Sequence, residues 1–407
     1  MGINHKIKQE QFYLASVDIL QGISLFFVVT FHTLLWWDHL IDFKWPNISS
    51  IVSVLMGTAF LIPPLYFFLY AFNVVNSLLR RKTKSDRQQS RTRLVKRTFL
   101  FFLIAEFAEG SAAIVTNPEY IINFLLTWEL FHLFSFSTIF FLAIFEFAWK
   151  LEEIKNFNHR GVCITILTII MMVILGIFLT IHDYTSSQSF EQMYVNLSIN
   201  SILSRAIFEY GQNPLIPWLL FPVIGGIVAI FLDLPHKQKS DVSKNAKIAL
   251  LTGIVSFILG IYFLTIERYV STPVAYPASS SFLFVAIGTV ILSTVLLVLF
   301  IDLNTNKSHH QFAIKVLQPL ILMSKITLTV FIVHNVAFIL SPELPILKQL
   351  ISSEIAALVT GLLYSSFFIL VAYFWQRWQF KYSLEWMIVK LQHSQWRWWV
   401  KNSIKEI

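Results

Sequence analysis

The chain contains ten apolar stretches, each close to the roughly 20 residues that a helix needs to cross the hydrocarbon core of a bilayer. Of its 407 residues 56% are hydrophobic and only 13% are charged, about half the charged share of a soluble domain. One water-soluble core cannot hide so much apolar surface. The sequence therefore predicts an all-α, polytopic transmembrane helical bundle. The predicted spans are residues 16–37, 51–79, 98–116, 129–149, 162–182, 216–232, 248–266, 279–301, 321–340 and 354–376.

The 31 Lys and Arg residues are distributed unevenly between the connections. Most lie in alternate segments, namely the two terminal tails and the connections around residues 80–97, 150–160, 237–247 and 307–315. Connections rich in Lys and Arg stay in the cytoplasm, so both termini are predicted to be cytoplasmic, in a multi-pass protein of the cell membrane. The net charge of +8 is then explained by topology and by anionic lipid headgroups, and nucleic acid is not an expected partner.

The predicted organisation is one bundle followed by a tail. Residues 1–340 hold spans one to nine, residues 341–379 hold the final span, and residues 380–407 form an amphipathic helix in the cytoplasmic interface. Four apolar residues of the tail share a helical face: Leu384, Met387, Ile388 and Leu391. The single Cys163 excludes an intrachain disulfide and a cysteine-based metal site, and no metal is expected.

Ionisable side chains within spans are costly and therefore informative. At 1.5 Å per residue, His32 lies about 24 Å from Ser16 and so near the outer face, whereas Asp18 lies at the cytoplasmic mouth. Three imidazoles and up to three carboxylates on four spans reach one depth: His32, His132, His334, Glu106, Glu109 and Glu129. Depth alone does not show that these side chains face one another, and each histidine has a structural alternative in helix–helix hydrogen bonding.

A neutral histidine near a carboxylate is suited to act as a general base toward a hydroxyl or amine. Such a base at the outer end of a bundle with a basic cytoplasmic face fits a phosphate-bearing donor such as acyl-CoA and an acceptor on the far side. The same groups also fit the proton relay of a proton-coupled transporter. Composition does not separate the two.

Several segments resemble a known family. The first span, SVDILQGISLFFVVTFHTLLWWDHL, resembles the opening helix of the heparan-α-glucosaminide N-acetyltransferase-type catalytic domain, a family related to the wider membrane acyltransferase superfamily. The segments LTWELFHLFSFSTIFFLAIF, NPLIPWLLFPVIGGIVAIFLD and MSKITLTVFIVHNVAFIL are similar to later spans of that family, and YSLEWMIVKL resembles the ending of related uncharacterised bacterial membrane proteins. The family positions in the first span fall on Asp18, Gly22, His32 and Asp38. Gln21 stands where the family usually has Arg, so a relative without activity is a further alternative.

The resemblance implies transfer of an acyl group, typically acetyl, from cytoplasmic acyl-CoA to a hydroxyl or amine of an extracytoplasmic saccharide or lipid-linked glycan. Acetyl-CoA is then a co-substrate, and no cofactor is bound. His32 carries over as the catalytic histidine, either a general base or a transient acyl carrier, with Asp38 orienting it or balancing its charge. The implied substrate-tunnel residues are Asp18, Glu109, Glu129, His132, Trp218 and His334. Those implied for the CoA phosphates are Arg80, Arg81, Arg93 and Arg97. Topology alone also explains the basic stretch, packing also explains Trp218, and a homodimer stays open.

Overall fold

The structure is a computed structural model, and its helices account for most of the part of the chain that it describes. The described residues are 14–41, 61–81, 83–116, 130–155, 157–185, 215–234, 236, 239–266, 279–304, 306–340 and 354–391. Within these ranges there is no β-strand. The helices are α1 Ala15–Ile41, α2 Ile62–Leu79, α3 Lys84–Thr116, α4 Leu130–Lys155, α5 His159–Thr185, α6 Leu220–Leu232, α7 Lys239–Ile266, α8 Ser280–Leu297, α9 Lys307–Ser324, α10 Thr327–Leu340, α11 Glu354–Trp375 and α12, residues 384–391.

Eight of the helices in the described ranges are long and apolar enough to cross a bilayer. The α9 and α10 helices together make a ninth candidate, bent by 61° at its break. The protein is therefore an integral, multi-pass membrane protein with an all-α fold. The third predicted span, 98–116, falls in the second half of α3, where most side chains lie outside the described residues.

The basic stretch 80–97 is mostly helical rather than an extended connection between spans. The α2 helix ends at Leu79 and α3 begins at Lys84, so the basic residues fill the first turns of α3. This difference from the sequence prediction arises because hydropathy marks where apolar residues begin, whereas a helix begins wherever its backbone can be capped and packed.

Two groups of helices build the bundle. In the first, α1 packs against α9, α10 and α11. In the second group, α6 packs against α2 and α5, and α4 packs against α2 and α3. The α7–α8 pair contacts this second group through α2 and α6. Glycines allow the closest crossings: a Cβ on Gly22 of α1 would lie 2.1 Å from the carbonyl oxygen of Leu320 on α9, and one on Gly225 of α6 would lie 2.3 Å from that of Phe68 on α2. Small residues at such crossings let helix backbones approach within van der Waals contact.

The α12 helix is the described part of the predicted interfacial tail, of which residues 392–407 lie outside the described residues. Ile388 is buried and Leu384 packs against the core, whereas Met387 and Leu391 are exposed. The predicted apolar face is thus divided, with one half docked on the bundle and the other half turned outward.

Candidate functional site

The structure brings two of the predicted histidines into direct contact. Nδ1 of His32 on α1 lies 2.9 Å from Nε2 of His334 on α10, and the two rings stack with centroids 5.1 Å apart. His334 is fully buried and His32 is half-buried. Phe331, one turn before His334, packs edge-on against both rings. The pair therefore joins two helices at a point where one imidazole remains partly accessible.

The hydrogen bonds assign the tautomer of the neutral pair. Nδ1 of His334 lies 3.0 Å from the carbonyl oxygen of Val330, and a ring nitrogen that bonds a carbonyl must be the donor. Nε2 of His334 then carries a lone pair and accepts the hydrogen of Nδ1 of His32. The basic lone pair of neutral His32 is consequently on its Nε2, on the opposite side of the ring from His334.

The segment of α1 just before His32 is fastened to α11. The hydroxyls of Thr30 and Ser365 lie 2.7 Å apart, and the Ser365 hydroxyl also donates to the carbonyl oxygen of Phe26 at 3.0 Å. A Cβ on Gly361 would lie 2.9 Å from the carbonyl oxygen of Thr30, so the two backbones are in close contact at this level. These contacts fix the position of α1 one turn or less from the histidine pair.

The opposite end of α10 is held by charged side chains at the break that follows α9. Lys325, which lies in the break, forms an ion pair with Asp18 of α1. The carboxylate of Glu385 in α12 accepts from the backbone N–H of Leu328 at 2.5 Å and from that of Thr329 at 3.1 Å, and also from the Thr329 hydroxyl at 2.6 Å. Glu385 thus serves as the N-terminal cap of α10, where a negative charge also complements the helix dipole.

A buried carboxylate, that of Asp302, holds the start of α1. Asp302, at the end of the π-helical turn Val298–Asp302 after α8, accepts from the backbone N–H of Ala15 at 3.0 Å and from the Ser16 hydroxyl. Its partners lie 286 and 287 residues earlier in the sequence. The described residue before α1 is Leu14, whose side chain cannot accept from the first N–H groups of the helix. Asp302 therefore caps α1 from the turn that follows α8.

Sequence reasoning missed the roles of Asp302, Lys325 and Glu385. Glu385 lies in the YSLEWMIVKL segment, which resembles the ending of related bacterial membrane proteins. That resemblance drew attention to the segment but gave Glu385 no role. Lys325 was a cation at the start of a predicted span with no partner nearby in the sequence. Asp302 gave no signal, since an acid at the end of an apolar segment is ordinary at a membrane boundary.

Other predicted site residues lie elsewhere. His132 is buried on α4, and its ring packs edge-on against Phe102 of α3 at 5.2 Å rather than against the histidine pair. Trp218 is buried between the rings of Phe67 and Phe221, at 5.9 and 5.7 Å, which is a packing environment. Three predicted carboxylates cannot be placed in the site: Glu129 lies outside the described residues, and Asp38 in α1 and Glu109 in α3 belong to described helices whose side chains there are not described.

The four predicted phosphate-binding arginines fall in two places. Arg80 and Arg81 follow the end of α2, and burial, with the neighbouring Arg81 guanidinium as a second cause, lowers the pKa of Arg80. Arg93 and Arg97 are exposed on α3. The side chain of Arg80 is exposed and that of Arg81 is partly buried.

Across the described part of the chain, no group of three or more His, Cys, Asp or Glu side chains is arranged to hold a metal ion. No protein-family model matches the chain, and no curated protein matches it significantly.

Proposed function

We propose that this protein is a membrane-bound acyltransferase that moves an acyl group, typically acetyl, from cytoplasmic acyl-CoA to a hydroxyl or amine of an extracytoplasmic saccharide or lipid-linked glycan. The hydrogen-bonded pair of His32 and His334 is the observation that carries the proposal. The proposal includes the predicted topology of ten spans with both termini in the cytoplasm, which would put the basic connections on the side of the CoA pool.

In the proposed reaction, Nε2 of His32 takes the proton from the acceptor as its oxygen or nitrogen attacks the thioester carbonyl. The carbon–sulfur bond then breaks, and the proton passes from His32 to the departing thiolate, so that CoA leaves as a thiol. The protonated ring donates a charge-assisted hydrogen bond from Nδ1 to His334, which orients the base as a third group does in a nucleophile–base–orienter arrangement. His334 lies on the Nδ1 side of His32. The orienting or charge-balancing role of Asp38 stays a prediction, because its side chain lies outside the described residues.

The same tautomer is compatible with nucleophilic attack by Nε2 of His32 on the thioester to form a transient acyl-imidazole. In both routes the reacting atom is Nε2, and His334 is a positioning residue that does not touch the substrate. The routes differ in whether label from acyl-CoA becomes attached to the protein before the acceptor is added.

The test is turnover of radiolabelled acetyl-CoA by the purified full-length protein in nanodiscs, with saccharide and lipid-linked glycan acceptors. His32→Ala should lower the rate by about 10²–10⁴-fold, the usual contribution of a general base. His334→Phe should lower it by about tenfold or more, the value of one lost hydrogen bond. His334→Gln, whose amide oxygen can accept from Nδ1 of His32, should recover part of that loss.

His309→Ala is the matched control, because His309 is an exposed histidine on α9 and lies outside the pair. It should turn over at the wild-type rate. Normal turnover by His32→Ala would overturn the assignment of roles, and absence of any acetyl-CoA turnover in the wild type across all acceptors would overturn the proposed activity.

One observation favours a proton-coupled transporter as the second candidate. The α9 and α10 helices are bent by 61° at a break that holds a charged pair, Lys325 with Asp18, and broken helices with charged groups at the break are typical of transporter binding sites. Uptake of a solute into proteoliposomes under a proton gradient, without acyl-CoA and abolished in Lys325→Gln, would favour this function over acyl transfer.

A further inference from the structure

The first half of α3 runs beside a membrane-spanning helix instead of beyond its end. Antiparallel contacts fix its register on α4, with Lys84 near Glu153 at 3.8 Å and Arg91 near Glu146 at 3.7 Å. Farther along, the Ser135 hydroxyl donates to the carbonyl oxygen of Thr98 at 3.2 Å. The candidate span of α4 covers His132–Lys155. The basic residues of α3 therefore lie within the length of that span.

The basic residues of α3 divide between two faces. Arg87 and Arg91 face α4, where they pair with Glu152 and Glu146. Arg93 and Arg97, one turn apart, are exposed, and in the described part of the chain no carboxylate forms an ion pair with either. With Lys96 they fall within an arc of about 100° on the helix surface. We call these three residues the cationic strip.

Exposed apolar side chains adjoin the cationic strip on its Lys96 side, whereas Arg97, at its other edge, lies over two buried rings. The guanidinium of Arg97 lies 4.9 Å from the ring of Phe101 and 5.8 Å from that of Tyr70, which is near the middle of α2. Four large apolar side chains of α3 are between 43% and 61% exposed: Val95, Phe99, Phe102 and Leu103. At about 100° per residue they lie on the Lys96 side of the strip, with Leu103 about 20° and Phe99 about 60° from Lys96. A ligand that covers both surfaces must carry negative charge at one end and hydrocarbon at the other.

We infer that the cationic strip of α3 binds the phosphate headgroup of an anionic phospholipid, whose acyl chains lie along the exposed apolar residues Phe99 and Leu103. Charge complementarity selects an anion, because cations at this depth are costly unless they reach headgroups or counter-charges. The adjoining apolar surface selects a lipid over a soluble phosphate such as CoA, which has no hydrocarbon to place there. In the topology proposed above, the lipid belongs to the cytoplasmic leaflet.

The inference does not depend on acyl transfer, so lipid binding can be established or lost whatever the result of the acetyl-CoA assay. It assigns Arg93 and Arg97 to a lipid, so that of the four arginines predicted to bind the CoA phosphates only Arg80 and Arg81 keep that prediction.

The experiment is native mass spectrometry of the delipidated full-length protein in detergent, titrated with phosphatidylglycerol or with phosphatidylcholine. Wild type should retain phosphatidylglycerol in preference to phosphatidylcholine. The double variant Arg93→Gln/Arg97→Gln should bind phosphatidylglycerol about 25-fold more weakly, since each cation near a lipid surface contributes about fivefold. Arg93→Lys/Arg97→Lys keeps both charges and should bind nearly as well as the wild type.

The matched control is Lys247→Gln/Lys315→Gln, which removes the same charge from exposed positions on α7 and α9. It should bind as the wild type does. Equal weakening by the two Gln double variants would overturn the site, because the attraction would then be diffuse. Displacement of phosphatidylglycerol by equimolar CoA would also overturn it, in favour of a soluble ligand. If Arg93→Gln/Arg97→Gln is not monodisperse, the single variants replace it, each with an expected fivefold loss, and no loss in either overturns the inference.

Discussion

Replacing Gly22 by Ala should destabilise the bundle, because α1 crosses α9 backbone to backbone at this residue. A Cβ on Gly22 would lie 2.1 Å from the carbonyl oxygen of Leu320 and 2.6 Å from its carbonyl carbon, whereas real Cβ contacts essentially never fall below 3.0 Å. The two helices must then separate by about 1 Å. Overpacking in a packed interior costs about 1–3 kcal/mol, and a backbone atom cannot rotate aside as a flexible side chain can, so we expect a loss near about 3 kcal/mol.

Gly176→Ala in α5 is the matched control for Gly22→Ala, because a Cβ there meets nothing within 4 Å. The same substitution should be neutral or stabilising by up to about 1 kcal/mol, since Ala has the higher helix propensity. The assay is reversible unfolding in mixed micelles with increasing sodium dodecyl sulfate, followed by circular dichroism. A Gly22→Ala protein as stable as the wild type, or two variants with the same free energy of unfolding, would refute the close crossing of α1 and α9.

Three further predictions concern the fastenings of α1 and α10, all read as free energies of unfolding in the same assay. The Glu385→Gln variant should lose about 1 kcal/mol of unfolding free energy, the usual value of an N-terminal cap, and its α12 should be more sensitive to limited proteolysis. Unchanged stability and unchanged proteolysis would contradict the cap. Asp302→Ala should lose about 1–3 kcal/mol, because it leaves the first N–H groups of α1 buried without their acceptor, and a loss well under that range would show that water replaces it. In a double-mutant cycle, Lys325→Met and Asp18→Asn should couple by about 0.2–1 kcal/mol, since the pair is partly exposed. Strictly additive effects would contradict the ion pair.

The all-α, multi-pass fold was predictable because hydropathy and charge act locally along the chain. Twenty apolar residues require a helix in lipid wherever they occur, and most predicted spans lie within observed helices. Depth was predictable for the same reason: His32 and His334 were placed at one level from residue counts alone. The direction in which each side chain points around its helix was not predictable, because the face of α1 that meets α10 depends on packing between residues 302 positions apart. His132 shows what depth cannot predict. Residue counts place it at the same level as the other two histidines, but its ring contacts Phe102.

The break between α9 and α10 was not predictable from hydropathy. The apolar residues 321–340 were predicted as one continuous span after the basic connection 307–315, and nothing local in 321–340 marks Lys325 as the position of a break. The break exists in the structure because two distant carboxylates stabilise it, Asp18 through the Lys325 ammonium and Glu385 through backbone N–H groups of α10. A helix end without a local cap needs hydrogen-bond partners from elsewhere in the chain. The positions of those partners cannot be read from the sequence around the helix end.

The two helices that carry the histidine pair are held in place by contacts at different levels. The α1 helix is held at its start by Asp302, at Gly22 by the crossing with α9, and near Thr30 by the contact with Ser365 of α11. The α10 helix is held at its base by Glu385 and Lys325, and farther along the hydrogen bond from His32 to His334 joins it to α1. The position of the pair is therefore set by contacts at several levels of α1 and by the cap and ion pair at the start of α10.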